Sequence, residues 1–407
     1  MPRLSIFISH PSDFLTDCQA YGDGLAAYEV IRRLAERGHE LHIAVDRSDL
    51  RGPLPAGVVL HAVGMRLPFA TARPVEYMVR VRRVLNHVRR RHHVDLIHQL
   101  NPVNPGLSAA LVGTGLPLIL GQYVPQWPAS ASSVRIPTSA AGHVGLAVTG
   151  PLVAWAERYQ QKNAAALVLS TPSASARLLA ASDDVVGRVR VVPYGVDTEF
   201  FVPDDAKCGP ADGVPVILFL AGLHERKGIL TLLESFDQVV QSIPDCRLVV
   251  AGDGPLRGEV ESRLNGLRAS NQVRLLGAVD RTTVRDLMRA SSVYCLPSDG
   301  EPFGLSALEA MACGKPVVVT DAGGLQHLVR ADGGRKVPPG DADALAQALV
   351  DLLACPDMMR QMGERNRAVA VERYSWPRVI DQIEQTYRDA LSRSHDESAM
   401  FRGQRTC

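Results

Sequence analysis

SVYCLPSDGEPFGLSALEAMACGKPVVVTDAGG, residues 292–324, sets two short apolar runs, SVYCLPS and KPVVVT, on either side of a helical pattern at 304–313. Neither run alternates polar with apolar residues, so each expects cover on both faces of a sheet. Strand, helix and strand in that order make a parallel α/β unit. The unit repeats outward: VPVILFLAGL, CRLVVAG and VRLLGAV precede it and GRKVPP follows, alternating with helical patterns at 228–241, 255–269, 281–291 and 341–354. Short continuous strands between helices are the signature of a doubly wound α/β sheet.

The first half carries the same theme less cleanly. LSIFIS, HELHIAV, VDLIHQL and LPLILGQ read as strands, YGDG as a glycine loop, and LAAYEVIRRLAERG as a helix stopped by Gly38. The chain of 407 residues is too long for one ordinary core. Two domains are expected, 1–193 and 194–375, joined near 195–213 where Pro, Gly and Asp concentrate. A final amphipathic helix at 376–393 and a polar tail at 394–407 follow.

The composition is 46% hydrophobic and 21% charged with a formal net charge of +1, which lacks the basic excess that nucleic-acid binding favours. Cys18, Cys208, Cys246, Cys295, Cys313, Cys355 and Cys407 are scattered, with no CxxC or Cys/His pairing at zinc spacing. Reduced thiols in a cytoplasmic protein are expected. The apolar start of MPRLSIFISHPSDF is too short for a signal peptide, and HVGLAVTGPLVAW (143–155), broken by Pro151, is too short for a membrane span.

Ligands of open α/β sheets bind beyond the carboxyl ends of strands, and four such ends in the second half are informative. The loop LHERKG puts Arg226 and Lys227 just before a helix, where cations meet phosphate. Gly252 and Gly254 make a tight DGP turn that lets another backbone or a ligand approach closely. The third and fourth loops are DGEPFGLSALEAMACG and DAGG. Pro302 keeps Glu301 extended and Gly304 marks a first helical turn, so the N–H groups of Phe303, Gly304 and Leu305 point out of a helix N-terminus. Glu309 lies about 6–8 Å further along the axis at ~1.5 Å per residue. That is close to the reach from a diphosphate to the ribose of the same nucleotide, so two carboxylates grip hydroxyls at both ends of a sugar nucleotide. Taken singly, each feature has a plain structural reading: acidic residues favour first turns, RKG is a solvated helix start, and DGP is a turn. Their coincidence at successive strand ends favours the functional one.

RVVPYGVDTEFFVP (190–203), AGDGP (251–255), EPFGLSALEAMACGKPVVVTDAGG (301–324), KVPPGD (336–341) and YSWPRVIDQIEQTYRDAL (374–391) together resemble glycosyltransferase family 4. That family comprises retaining enzymes of the GT-B fold, in which two Rossmann-like doubly wound domains face a central cleft. The resemblance covers roughly residues 190–393. It implies a UDP- or GDP-sugar donor held by the second domain and an acceptor held by the first. Glu301 contacts the donor sugar, Glu309 binds the ribose, the backbone from Phe303 to Leu305 lies along sugar and phosphates, and Lys227 neutralises the diphosphate. The final helix braces the first domain. Such enzymes use no protein nucleophile: the leaving diphosphate accepts the acceptor's proton as the bond forms on the same face. No cofactor or divalent metal is required, and no Asp-x-Asp signature is assigned to hold one.

Two departures stand out. Gly222 occupies the place of the family's usual arginine, with Arg226 as a differently placed substitute, and His327 stands where GGxxE carries a glutamate. In the first domain, the N–H groups of Gly22 and Gly24 are candidates to reach the donor phosphate, and Asp23 to orient an acceptor hydroxyl. His98 is a candidate functional histidine or a satisfied strand-end residue, and Leu100 stands where relatives tend to carry a second histidine. The basic helix RVRRVLNHVRRRHH (80–93) reads first as a solvated face and second as a contact for anionic lipid. The expected acceptor is a small soluble metabolite or natural-product precursor, with a lipid carrier or polysaccharide as the alternative. A sugar-nucleotide epimerase and a noncatalytic nucleotide-sugar-binding protein are the competing functions, and a nicotinamide dehydrogenase is least favoured because no GxGxxG is complete. Donor sugar, base and oligomeric state stay open.

Overall fold

The computed structural model describes residues 2–10, 15–17, 22–67, 73–100, 106–123, 140–204 and 213–403. Two compact units emerge: residues up to Pro193 with those from Val379 onward, and Tyr194–Arg378.

The first unit is built on seven parallel strands: β1 (Ser5–His10), β2 (Glu40–Val45), β3 (Val58–Ala62), β4 (Leu96–Gln99), β5 (Leu118–Tyr123), β6 (Ala166–Leu169) and β7 (Val189–Val191). Their order is β3-β2-β1-β4-β5-β6-β7, so the winding reverses between β1 and β4. Strands β3, β6 and β7 are absent from the sequence reading. The first and last are half-exposed edges with only VVL and VRV as apolar signal, and β6 is only ALVL. The basic segment falls in the helix Arg73–Arg89 and beyond it, and the helix has a buried apolar side: Met78, Val81, Leu85 and Val88 pack with Phe7, Ala44 and Ile97.

The last helix, Trp376–Gly403, runs past the expected end at 393. Val379, Ile380, Ile383, Tyr387 and Ala390 form its buried stripe in the first unit. Polar anchors fix its register there. The Leu4 N–H donates to His39 Nδ1 (3.2 Å), which leaves His39 Nε2–H to donate to Glu384 (3.1 Å), and Arg37 pairs with Asp381 at 2.9 Å. Between Leu118–Tyr123 and Ala166–Leu169 lies the helix Ala140–Asn163, which contains Pro151; no helix among the described residues is long and apolar enough to cross a membrane.

The second unit holds β8 (Val216–Leu220), β9 (Arg247–Ala251), β10 (Val273–Gly277), β11 (Val293–Leu296), β12 (Val317–Thr320) and β13 (Gly334–Val337). All are parallel, in the order β10-β9-β8-β11-β12-β13. Helices Ile229–Ser242, Arg281–Ala290, Leu305–Ala312 and Ala342–Leu353 fall within a residue or so of their expected positions. Asp280 and Asp341 cap two of them by accepting from the N–H of Thr283 and Ala344. Helix Pro356–Tyr374 is an addition to the sequence reading. The expected linker is also partly a docked segment. Phe201 is buried, Asp197 accepts the N–H groups of Glu199 and Phe200, and the Arg367 guanidinium donates to the carbonyls of Thr198 and Phe201. Of the expected join, residues 205–212 lie outside the described residues. The described cysteines are free thiols, with Cys246, Cys295 and Cys313 buried.

Candidate active site

In the second unit the winding reverses between β8 and β11, the place where doubly wound sheets bind ligands. The loops leaving those two strands are sewn together. The Asp299 N–H donates to the Arg226 carbonyl at 2.8 Å, and the Ser298 hydroxyl donates to the same oxygen at 2.7 Å. This seam brings the Lys227 ammonium onto the Glu301 carboxylate as a short ion pair, with both side chains mostly buried. The Arg226 side chain, one residue earlier on the Glu225–Lys227 turn, is exposed.

The helix bearing Glu309 begins at Leu305, one residue later than the sequence suggests, because Gly304 sits at φ 97° as its cap residue. Gly304 offers no side-chain cap, and the first intrahelical bond is from the Leu308 N–H. The open donors at the mouth are therefore those of the first turn, from Leu305 on, which face an incoming anion with the positive end of the helix dipole. Phe303 instead sends its ring into the core, edge-on to Tyr194 and Tyr374.

Tyr294 lies near both glutamates, and sequence reasoning missed it. Its hydroxyl donates to the Leu220 carbonyl (3.1 Å), so the Ser306 hydroxyl at 2.6 Å is the donor to it. Burial first, and then the nearby charges of Glu301 and Glu309, hold the phenol well above its usual pKa. The one available signal was chemical: a tyrosine inside an apolar strand needs a hydrogen-bond partner.

Glu309 itself is partly exposed, yet desolvation pushes its carboxyl up to about 7, against an opposing pull from Arg281. A carboxyl that holds its proton more tightly folded than unfolded loses stability as pH rises through that window. Glu309→Gln removes the penalty. The variant is expected to be more stable than wild type in urea melts at pH 8, with the gap closing by pH 4. A gap of constant size at every pH would contradict the assignment.

Gly252 and Gly254 admit protein backbone. A Cβ on Gly252 would lie 1.9 Å from the Ala221 carbonyl oxygen, and one on Gly254 2.5 Å from that of Leu223. The Leu223 N–H donates to Asp253 O at 3.0 Å, so the DGP turn holds the loop that carries Arg226 and Lys227. The DAGG loop does the same for Glu301: the Gly324 N–H donates to the Glu301 carbonyl at 2.7 Å.

The first unit carries the remaining candidates. Gly22, Asp23 and Gly24 open the helix Gly22–Glu36 rather than forming a loop before it, and Gly24 is buried. The Asp23 side chain and residues 18–21 lie outside the described residues. His98 is fully enclosed: Nε2–H donates to the Gly121 carbonyl (2.6 Å) and Nδ1 accepts from the Tyr387 hydroxyl (2.7 Å). Desolvation lowers its pKa to about 4. With both nitrogens of a neutral ring occupied, His98 braces β4, β5 and the last helix, the satisfied strand-end arrangement that the sequence offered beside the functional one.

Two family descriptions together span most of the chain: Glycosyltransferase Family 4 matches residues 24–200, and Glycosyl transferases group 1 matches residues 203–369. The chain belongs to glycosyltransferase family 4. Among its relatives, the phosphatidyl-myo-inositol mannosyltransferase of Mycobacterium leprae (strain TN) is 36% identical over 200 residues, 48% of this chain and 52% of that protein. The chain thus matches about half the length of that relative. The N-acetyl-alpha-D-glucosaminyl L-malate synthase of Bacillus anthracis is 24% identical over 382 residues, 91% of this chain and 94% of that protein. In fold, the chain resembles the sucrose-phosphate synthase of Thermosynechococcus elongatus, with a TM-score of 0.73 at 24% identity over 96% of this chain and all of that one. The fold is GT-B.

Against the family 4 pattern, Gly222 stands where an arginine is usual, and a Cβ there would meet first the His224 ring at 3.1 Å. The Asp-x-Asp spacing does occur, at Asp341 and Asp343, but it is spent locally. Asp341 caps its helix, and Asp343 accepts from Gln238 at 2.7 Å.

Proposed function

We propose that this protein is a retaining hexosyltransferase that moves a sugar from a UDP- or GDP-sugar to a hydroxyl of a small soluble acceptor. The observation that carries the reading is the Lys227–Glu301 ion pair beside the uncapped helix that bears Glu309. An entering diphosphate offers Lys227 a stronger partner, and the exchange frees the Glu301 carboxylate to accept the sugar's hydroxyls while Glu309 takes those of the ribose. As the bond from sugar carbon to diphosphate oxygen breaks, the acceptor oxygen bonds to the same carbon on the same face. The acceptor's proton passes to the departing phosphate. Lys227 and the helix mouth stabilise the charge growing there, so the step needs no divalent metal.

Acceptor binding falls to the first unit. The malate synthase relative, similar over nearly its whole length, supports a small hydroxyl acceptor. The mannosyltransferase relatives support a lipid instead, but the basic helix fits this less well. Arg82 and Arg89 donate to backbone carbonyls of residues 110, 112 and 114, and Arg80 pairs with Glu76.

Thermal shift with UDP, GDP, ADP and their sugars tests the reading. A saturating ligand at ~100 Kd adds about 2.7 kcal/mol, so one nucleoside diphosphate is expected to raise the melting temperature by several degrees. Glu309→Ala is expected to abolish that rise. No response to any of the three diphosphates, or an equal response from the variant, would defeat the proposal.

A further inference from the structure

A second polar cluster lies in the first unit and includes none of the donor-binding residues. Glu40 and His42, two apart on β2, share a face of the sheet. The register opposes Ala44 to His61, which brings His61 to that face as well. The helix Arg73–Arg89 covers it, and the turn after the helix delivers His92, whose N–H donates to the Val88 carbonyl at 2.9 Å.

Glu40 Oε1 lies 3.3 Å from His42 Nε2 and 3.2 Å from His92 Nδ1, and the three atoms all fall within 4.8 Å of one another. Zinc bonded tetrahedrally at about 2.0–2.1 Å places its ligand atoms roughly 3.3 Å apart. His42 is fully enclosed, and its Nε2 has no hydrogen-bond partner, because the approach to Glu40 lacks hydrogen-bond geometry. Its other nitrogen lies 3.1 Å from His61 Nε2. With the shared proton on His42 Nδ1, His61 fixes the ring so that the Nε2 lone pair faces Glu40 and His92, as outer partners do for zinc-bound histidines. Arg3 approaches the other carboxylate oxygen of Glu40 at 3.4 Å and leaves Oε1 facing the histidines. His92 is 42% exposed, which gives an ion a way in and a water the fourth position.

We propose that Glu40, His42 and His92 form a three-ligand site for one zinc ion, clasping β2 to the end of the helix above it. Two imidazoles and one carboxylate suit zinc or cobalt and not magnesium, which demands oxygen ligands.

Untagged full-length protein stripped with EDTA is titrated with ZnCl2 by calorimetry and with CoCl2 by visible absorption. One equivalent of zinc, the d–d bands of four-coordinate cobalt, and a higher melting temperature with zinc are expected. Because removal of His42 opens a buried cavity, the deciding variants are His92→Ala and Glu40→Gln. Each is expected to weaken zinc binding by more than about tenfold, the least that loss of even an outer partner produces. His93→Ala, whose exposed ring pairs with Asp95 at 2.9 Å, is expected to bind as wild type does. Zinc binding unchanged in His92→Ala, no saturable equivalent in wild type, or displacement of zinc by equimolar MgCl2 would overturn the proposal.

Discussion

Lys227→Ala is expected to slow sugar transfer by about 10²–10³-fold, the scale set by removing one preorganised donor from a developing oxyanion. On the proposed mechanism Lys227 would carry more of that load than the family pattern assigns it, because Gly222 supplies no guanidinium to share the diphosphate. The loss belongs mainly to kcat, since charge on the phosphate grows as the bond breaks and the ammonium contributes most at that point. Among the described residues, the variant also leaves the 9%-exposed Glu301 with only the Ser298 hydroxyl, 3.4 Å away, as a close side-chain partner. Some stability is lost with the ion pair. A melting curve run beside the kinetics separates that loss from the catalytic one, and Lys227→Arg, which restores charge, should recover stability ahead of rate. Arg226→Ala is expected to cost less, because its exposed side chain is screened by solvent. A Lys227→Ala enzyme within threefold of wild-type kcat would remove the ammonium from the mechanism.

What the sequence displayed and what it hid divide along physical lines. Buried parallel strands announce themselves as unbroken apolar runs, so β8, β9, β11 and β12 and the loops after them were legible, and with them the candidates Lys227, Glu301 and Glu309. Edge strands such as β3 and β7 offer only the short stretches VVL and VRV, because much of their surface is wet. Tyr294 was hidden because its role depends on two partners, Leu220 and Ser306, that the winding brings to it. The same holds for Glu40, His42 and His92: the spacing of a metal motif is local, whereas these three meet only because a strand and a helix end lie against one another. His98 shows the converse limit. A histidine at a strand end looks the same in sequence whether its nitrogens are open or, as here, held by Gly121 and Tyr387. The glycines of AGDGP were legible as a close approach, and those of DAGG only as a loop. That the approaching group is protein backbone became clear only with the loops in place.

That backbone packing sets up the second large effect, Gly323→Ala. Gly323 holds φ at 59°, and a Cβ there would stand 2.3 Å from the Glu301 carbonyl oxygen and 3.0 Å from its nitrogen. Neither atom is the end of a flexible side chain, so relief must come from moving the Glu301 backbone. A left-handed conformation costs a residue with a Cβ about 1–2 kcal/mol, and overpacking adds roughly 1–3 kcal/mol. The variant is expected to melt on the order of 5–15 °C lower, taking ~2–4 °C per kcal/mol for a domain of this size. Because the displaced residue holds Lys227, the donor-induced thermal shift should also shrink. Gly258→Ala is the control. It lies inside the helix Arg257–Leu264 with nothing within 4 Å of the new carbon, and is expected to gain about 0.5–1 kcal/mol. If Gly323→Ala instead melts within a degree of wild type and responds fully to the donor, the DAGG loop does not position Glu301, and the seam that presents the carboxylate must be assigned to Ser298 and the Arg226 carbonyl alone.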